Sequence, residues 1–116
     1  QQVATLEQVA AVRQYVQALH LADQVAMYAI AILQATRDHP RVRLGASTRG
    51  GVAMVALAKA FAVMAGRDFV APQDVSRAAA HSLPHRLVLT GSDRNSLAIA
   101  TAITTECIAT VQAPRR

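Results

Sequence analysis

The sequence predicts an all-α domain, a small bundle of about five helices with a short extended link. Three observations lead to this fold class. Alanine is the commonest residue in the chain, and it has the highest helix propensity. Apolar residues, which make up 53% of the 116 positions, recur three or four places apart over long stretches. Capping residues, prolines and glycines divide these stretches into segments of helix length.

The first two helices are predicted from their start and stop signals. Thr5 is a candidate N-cap with Gln8 at the capping-box position, and apolar residues follow at helical spacing at Val9, Val12, Val16 and Leu19. A second helix begins near Asp23 and ends near Asp38, because the residue before Pro40 is biased away from helix. We expect this helix to be buried on more than one side, because Met27, Ile30 and Ala31 widen an apolar face of Val25, Tyr28, Ala29, Ile32 and Leu33.

The middle of the chain predicts a loop and a core helix. Residues 38–46 form the loop, and Ser47 is expected to cap a third helix that ends with Gly66 at the C′ position. This helix is apolar nearly all round, which is typical of a central core helix: Val52, Val55, Ala56, Leu57, Ala60, Phe61, Val63 and Met64. Residues 67–70 are the short extended link.

Two further helices complete the prediction. Pro72 suits the first position of a short fourth helix, which Pro84 stops, and residues 85–89 are expected to be extended. Residues 90–92 form a turn. A fifth helix runs from about Asp93 to Gln112, and its apolar face contains Leu97, Ala100, Thr104, Cys107, Ile108 and Val111.

Composition excludes several classes of function. The single cysteine, Cys107, cannot form an internal disulfide or a zinc site alone, and 3% aromatic residues are too few for a stacking platform. No apolar stretch reaches the ~20 residues of a membrane span, no signal peptide begins the chain, and we expect a cytoplasmic protein. There is no P-loop, dinucleotide turn, zinc-protease motif or nucleophile elbow. His81 and His85 share helical spacing, but Pro84 between them favours packing or surface roles over metal binding.

One group of residues does carry chemistry. Net charge is +5, and basic side chains cluster at the start of the third helix, at Arg41, Arg43 and Arg49. A helix N-terminus presents unpaired N–H groups and partial positive charge, and therefore attracts anions, phosphates above all. Glycines at 45, 50 and 51 permit close backbone approach, and Arg49 could bind the same anion with two N–H groups. The alternative is an ordinary solvated loop whose arginines pair with Asp38 or another carboxylate.

Five ordered segments then resemble the C-terminal lid domain of MoxR-type AAA+ ATPases. They are Ala-Thr-Arg-Asp-His-Pro at residues 35–40, Leu-Gly-Ala-Ser-Thr-Arg-Gly-Gly at 44–51, Ala-Phe-Ala at 60–62, Gly-Arg-Asp-Phe-Val-Ala-Pro-Gln-Asp-Val at 66–75 and His-Arg-Leu at 85–87. The resemblance covers the chain from roughly residue 3 to residue 89 in the family's order and spacing.

The resemblance implies roles for particular residues. Arg49 falls on the family's sensor 2 arginine, which reaches from the lid to the γ-phosphate of ATP held by another domain. Ser47 falls on the helix-capping serine and would preorganise that helix end. Arg37 and Arg86 match family motifs, and we expect structural or interdomain pairing roles for both.

The sequence also departs from the family pattern. Thr48 replaces the usual proline before the arginine, and Gly50 replaces the usual alanine after it. Each glycine of the Gly50–Gly51 pair lowers helix propensity by up to ~1 kcal/mol relative to alanine, so we expect a looser first turn. Phe69 replaces the usual tyrosine, which loses a hydroxyl and keeps the packing.

For the whole chain, the resemblance implies a lid domain over residues 1–116, cut from a longer ATPase whose P-loop domain is absent here. ATP and Mg²⁺ would be bound mainly by that P-loop domain, and this chain alone should not hydrolyse ATP. The resemblance further implies coupling of hydrolysis to chaperone-like remodelling, a ring homo-oligomer, and partners with a von Willebrand factor A domain.

Two alternatives remain at this point. The charge is compatible with a nucleic-acid-binding helical domain, although residues 52–64 are too apolar for an exposed recognition helix. Tight duplex binding with a steep salt dependence would favour it. A purely structural adaptor would be favoured if the intact protein kept normal ATP turnover after Arg49→Ala.

Overall fold

The computed structural model describes residues 5–91 and 96–114. Within these ranges the elements are helices α1 (Leu6–Gln17), α2 (Asp23–Asp38), α3 (Thr48–Met64), α4 (Pro72–Ser82) and α5 (Leu97–Thr110), and strands β1 (Val42–Leu44) and β2 (Val88–Leu89). A 3₁₀ turn, Leu83–Arg86, follows α4. The predicted all-α class with about five helices is confirmed, and a two-stranded sheet is added to it.

Helix α3 is the centre of the bundle. It packs against α4 most extensively and also contacts α1, α2 and the 3₁₀ turn. Its buried side chains form one face, made by Met54, Ala58, Phe61 and Ala62. The central position is as predicted, but burial all round is not, because Val52 and Met64 are 67% and 71% exposed.

Helix α2 differs from its prediction in the same way. Its buried face includes Val25, Tyr28 and Ile32, as expected, but Met27 and Ile30 are exposed, so burial on a second side is wrong. No described element covers that outer side. Apolar residues remain on the surface when the fold offers them no partner.

Residues that were predicted to begin or end helices do so in the structure. Thr5 and Gln8 form a capping box on α1, with the Thr5 side chain accepting from Gln8 N at 3.1 Å and Gln8 Oε1 accepting from Thr5 N at 2.9 Å. Gly66 follows α3 with φ of +80°, a backbone conformation that a side chain would strain. Pro72 begins α4.

The small sheet was not predicted. Strand β1 lies within the expected loop and pairs antiparallel with β2, joining Val42 to Leu89 and Leu44 to Val88 with a register shift between these pairs. The segment expected to be extended from residue 85 is instead 3₁₀ up to Arg86. The pairing brings the segment before α3 next to the segment after the 3₁₀ turn.

Helix α5 closes the bundle against the 3₁₀ turn, α2 and α4. The predicted start at Asp93 lies outside the described residues. Ala100, Thr104 and Cys107 are buried as expected, Ile103 joins them, and Leu97 is exposed. The His39 ring contacts Glu106 at 2.6 Å and thereby links the end of α2 to α5.

Candidate functional site

The candidate site is the first turn of α3. Ser47 is its N-cap, and the Ser47 hydroxyl oxygen accepts a hydrogen bond from Gly50 N at 3.2 Å. The first turn contains no acidic residue. Its N–H groups and partial positive charge therefore meet no carboxylate of the same turn that would compete with an anion.

Arg49 lies in that turn and is exposed to solvent. Within residues 5–91 and 96–114, its guanidinium forms no hydrogen bond or ion pair. The solvated-loop alternative paired the arginines with Asp38 or another carboxylate. Asp38 Oδ1 accepts from Gln34 Nε2 at 3.0 Å, and Arg49 pairs with no carboxylate of the described residues. The N–H donors of the Arg49 guanidinium are therefore unused within the described residues.

The segment that leads into α3 is fixed to the end of α2. The buried Thr36 hydroxyl donates to Leu33 O at 2.6 Å and accepts from Ala46 N at 3.4 Å. Arg37 Nε donates to Ala46 O at 3.2 Å, which gives Arg37 the structural role that was expected for it. Both polar groups of Ala46 are thus tied to α2, and the position of Ser47 follows from them.

The space beside the glycines that were expected to permit close approach of a ligand is filled by side chains of this chain. A Cβ at Gly45 would lie 2.7 Å from Arg37 Cγ, and one at Gly51 would lie 2.7 Å from Leu33 Cδ1. Non-bonded contacts this short essentially do not occur at real Cβ atoms. At Gly45 the Arg37 backbone also lies 2.9 Å away, so glycine is required there, whereas at Gly51 the contact is with the Leu33 side chain alone. The glycines serve the close packing of α3 on its neighbours, and room for an anion lies only on the solvent side.

An apolar groove reaches this turn. It has a volume of about 590 Å³ and lies between α1, α2 and α3, with Thr48, Gly51 and Val52 at its α3 wall. Lys59, farther along α3, also lines it and donates to Gln17 O at 2.9 Å. The groove places a mostly apolar surface, with the cationic side chains of Arg37 and Lys59 in its lining, directly beside the basic turn.

Other predicted residues lie elsewhere. Arg43 is exposed on β1. The His81 ring packs on Phe61, with ring centroids 5.7 Å apart, and His85 is exposed, in agreement with packing and surface roles. Among the described residues, no group of three or more histidine, cysteine, aspartate or glutamate side chains could hold a metal ion.

Sequence reasoning missed Thr36 as a residue that shapes the site. The signal was present, because the resemblance included Ala-Thr-Arg at residues 35–37, but it gave Thr36 no role. The hydrogen bonds of Thr36 to both Leu33 and Ala46 depend on how the segment before α3 folds back onto α2.

None of the helices in residues 5–91 and 96–114 is long and apolar enough to cross a membrane.

Comparisons with known proteins identify a family for this chain and two similar proteins. The AAA lid domain family matches residues 34–107, which is nearly two thirds of the chain. The chain is 37% identical over 99 residues to the Bacillus subtilis (strain 168) protein YeaC, covering 85% of this chain and 31% of YeaC. It is 47% identical over 49 residues to the chaperone MoxR1 of Mycobacterium tuberculosis (strain ATCC 25618 / H37Rv), covering 42% of this chain and 13% of MoxR1.

A solved structure shows the same fold. A protein assigned as an ATPase from Cytophaga hutchinsonii ATCC 33406 superposes with a TM-score of 0.82 over 94% of this chain and 36% of that one, at 23% identity. The chain thus spans about a third of the length of the two proteins that it matches over most of its own length. It belongs to the AAA lid domain family and is a lid domain of the MoxR type of AAA+ ATPases.

Proposed function

We propose that this lid supplies a sensor 2 arginine, Arg49, to ATP held at its junction with a P-loop domain of the same longer protein. The observation that carries the proposal is the exposed Arg49 guanidinium, which has no partner in the described chain and lies in a capped helix turn without acidic residues. Helix N-termini favour phosphate, and arginine matches phosphate oxygens with two parallel N–H groups.

In this proposal Arg49 stabilises negative charge on the γ-phosphate of ATP. Its N–H groups donate to γ-phosphate oxygens, where negative charge must be stabilised during phosphoryl transfer. Ser47 holds the helix end that carries Arg49. Because the contact exists only while the γ-phosphate is present, its loss releases the lid, and hydrolysis is coupled to domain movement.

The remaining machinery lies outside this chain. The first turn of α3 offers one cation, Arg49, and backbone N–H groups, which fit an anion, and it offers no carboxylate that would ligate Mg²⁺. We therefore assign Mg²⁺ and the remaining ATP contacts to the P-loop domain, and expect no ATP hydrolysis by the 116-residue chain alone.

The proposal for the wider role is supported by the likeness to MoxR1. MoxR1 is named a chaperone. We propose that the whole protein couples ATP hydrolysis to chaperone-like remodelling as a ring homo-oligomer in the cytoplasm, beside a partner with a von Willebrand factor A domain.

The test is Arg49→Ala in the longer protein that carries this lid. We expect kcat for ATP hydrolysis to fall on the order of 100-fold, the usual effect of removing one preorganised donor to developing charge. Arg49→Lys should retain part of the activity, because it keeps the charge and loses the two-pronged geometry.

Arg13→Ala is the matched control, because Arg13 is an exposed arginine on α1 outside the α3 turn. The melting temperature of the 116-residue chain should be unchanged by all three substitutions. Normal turnover by Arg49→Ala would contradict the proposal and favour a purely structural lid.

A further inference from the structure

Gly50 forms an unusual contact in the first turn of α3. It is buried, and a Cβ at this position would lie 2.9 Å from Arg86 Cδ, 3.8 Å from Arg86 Nε and 3.6 Å from Ala46 Cβ. Atoms that are not bonded to it or to its neighbours in the chain essentially never approach a Cβ within 3.0 Å. The Arg86 side chain can therefore cross this turn only because residue 50 lacks a side chain.

Arg86 reaches the turn from a well-anchored backbone. It is the last residue of the 3₁₀ turn, whose Leu83 and Pro84 are buried, and the following Leu87 is buried as well. Its aliphatic stem lies against α3 while the residue as a whole is exposed. In residues 5–91 and 96–114 the Arg86 guanidinium makes no hydrogen bond or ion pair, so its contribution inside this domain is packing.

A second side of the same turn is also held by packing. Leu33 Cδ1 lies 2.7 Å from the position of a Cβ at Gly51. Gly50 N donates to the Ser47 hydroxyl at 3.2 Å, and Gly51 N donates to Ser47 O at 3.0 Å. A helix start with two consecutive glycines has little intrinsic rigidity, and here side chains from two other elements enclose it.

We propose that Arg86 is a positioning residue for Arg49. Its stem braces the first turn of α3 through Gly50, and the turn holds Arg49, the residue directly before Gly50, at the angle that reaches the nucleotide. This inference rests on the proposed function of Arg49. The Gly50–Arg86 contact positions Arg49 through the aliphatic stem of Arg86 and not through its charge.

Three substitutions separate stem from charge. Arg86→Met keeps an unbranched stem and removes the charge. Arg86→Ala removes both. Gly50→Ala displaces the stem, at low cost to the fold because Arg86 Cδ belongs to a flexible side chain, while alanine itself favours helix.

In the longer ATPase, Arg86→Ala and Gly50→Ala should each lower kcat about tenfold with little change in KM for ATP, since misplacement of a group by 1 Å can cost ~100-fold. Arg86→Met should retain near-normal kcat. The Arg86→Ala/Gly50→Ala double variant should be no worse than either single variant, because both remove the same contact. In an Arg49→Ala background, Arg86→Ala should have no further effect.

The brace has a second readout in the 116-residue chain. Amide exchange of Gly50 and Gly51 should become about fivefold faster in Arg86→Ala and stay unchanged in Arg86→Met. The melting temperature of Arg86→Ala should not shift, because only this turn is loosened. This measurement is independent of ATP.

Several results would overturn the inference. They are an unchanged kcat in Arg86→Ala when Arg49→Ala lowers it, an Arg86→Met variant as slow as Arg86→Ala, or unchanged exchange at Gly50 and Gly51. If Arg49→Ala itself leaves turnover unchanged, the proposed function fails, and the exchange experiment then decides whether the brace exists.

Discussion

Asp74 fixes the connection between α3 and α4 through one buried carboxylate. Its Oδ2 accepts from Ala71 N at 2.8 Å, and its Oδ1 forms an ion pair with Arg67 Nη2. The Asp74 side chain is 5% exposed, so neither interaction is shared with much water. One side chain thus joins the link after α3 to the start of α4.

We expect Asp74→Ala to lower the free energy of unfolding by about 3 kcal/mol, because it leaves the Arg67 charge and the Ala71 N–H without their acceptor. Urea denaturation of the 116-residue chain measures this. Asp68→Ala is the control, an exposed carboxylate of the same segment, and should change stability by less than ~0.5 kcal/mol. Equal effects of the two substitutions would contradict a special role for Asp74.

Single residues with local signals were well predicted. Thr5 and Ser47 cap helices by hydrogen bonds to residues three positions away, and Gly66 and Pro72 act at helix ends through their own backbone conformation; both effects follow from local sequence. The Gly50–Arg86 contact joins residues 36 positions apart, so spacing along the chain carries no trace of it.

Helix α1 differs from the other helices in having no buried residue. Its apolar residues Leu6, Val9 and Val12 are 89%, 45% and 58% exposed. It is stabilised by its capping box and by contacts with α3, including the Lys59 hydrogen bond to Gln17 O. A helix with so little burial opens more readily than a core helix.

We expect the amides of residues 10–16 in α1 to exchange on the order of 100-fold faster than those of residues 54–62 in α3. Thr5→Ala should accelerate α1 exchange a further fivefold or so, which corresponds to the ~1 kcal/mol of a typical cap, with no change in global melting temperature. Hydrogen exchange of the 116-residue chain checks both. Equal protection of α1 and α3 would show that α1 belongs to the core.

Which face of a helix is buried was predicted less well than the helix itself. Val52 and Met64 in α3 and Met27 and Ile30 in α2 are apolar but exposed, whereas Met54 and Ala58 in α3 are fully buried. When apolar residues surround a helix, periodicity does not select a face. The choice depends on where the other helices pack.

At the scale of the whole molecule, the buried apolar side chains of the described residues form two groups. The larger one joins α2, α3 and α4, and the smaller one joins β1, β2 and α5. Each contains a titratable group with a raised pKa. Burial, together with the nearby Glu106 carboxylate, raises the pKa of the Cys107 thiol above its usual 9.0. Burial raises the pKa of the Tyr28 phenol above its usual 10.0, opposed by a hydrogen bond with Ser76.

Stability should therefore fall at alkaline pH. Because the two pKa values are raised by folding, the unfolded chain loses these protons first as the pH rises. The free energy of unfolding is then largest below about pH 9 and decreases above it. Urea denaturation between about pH 7 and pH 10.5 measures the slope.

Two substitutions show which groups cause the decrease of the free energy of unfolding with pH. Cys107→Ala should remove the decrease that begins near pH 9, and Tyr28→Phe should remove the part that begins near pH 10, whatever each does to stability at neutral pH. A slope that persists in the double variant would place the titrating groups elsewhere.

The sequence by itself determined the all-α class, the helix ends and the basic turn at Ser47–Arg49, because caps, helix period and helix-end electrostatics act over a few residues. Its ordered motifs also determined the lid family. Only the tertiary structure decided the pairing of β1 with β2, the exposed faces of α2 and α3, and the anchoring of α3 by Thr36, Leu33 and Arg86. Those features depend on contacts between residues far apart in sequence, which exist only once the helices have packed.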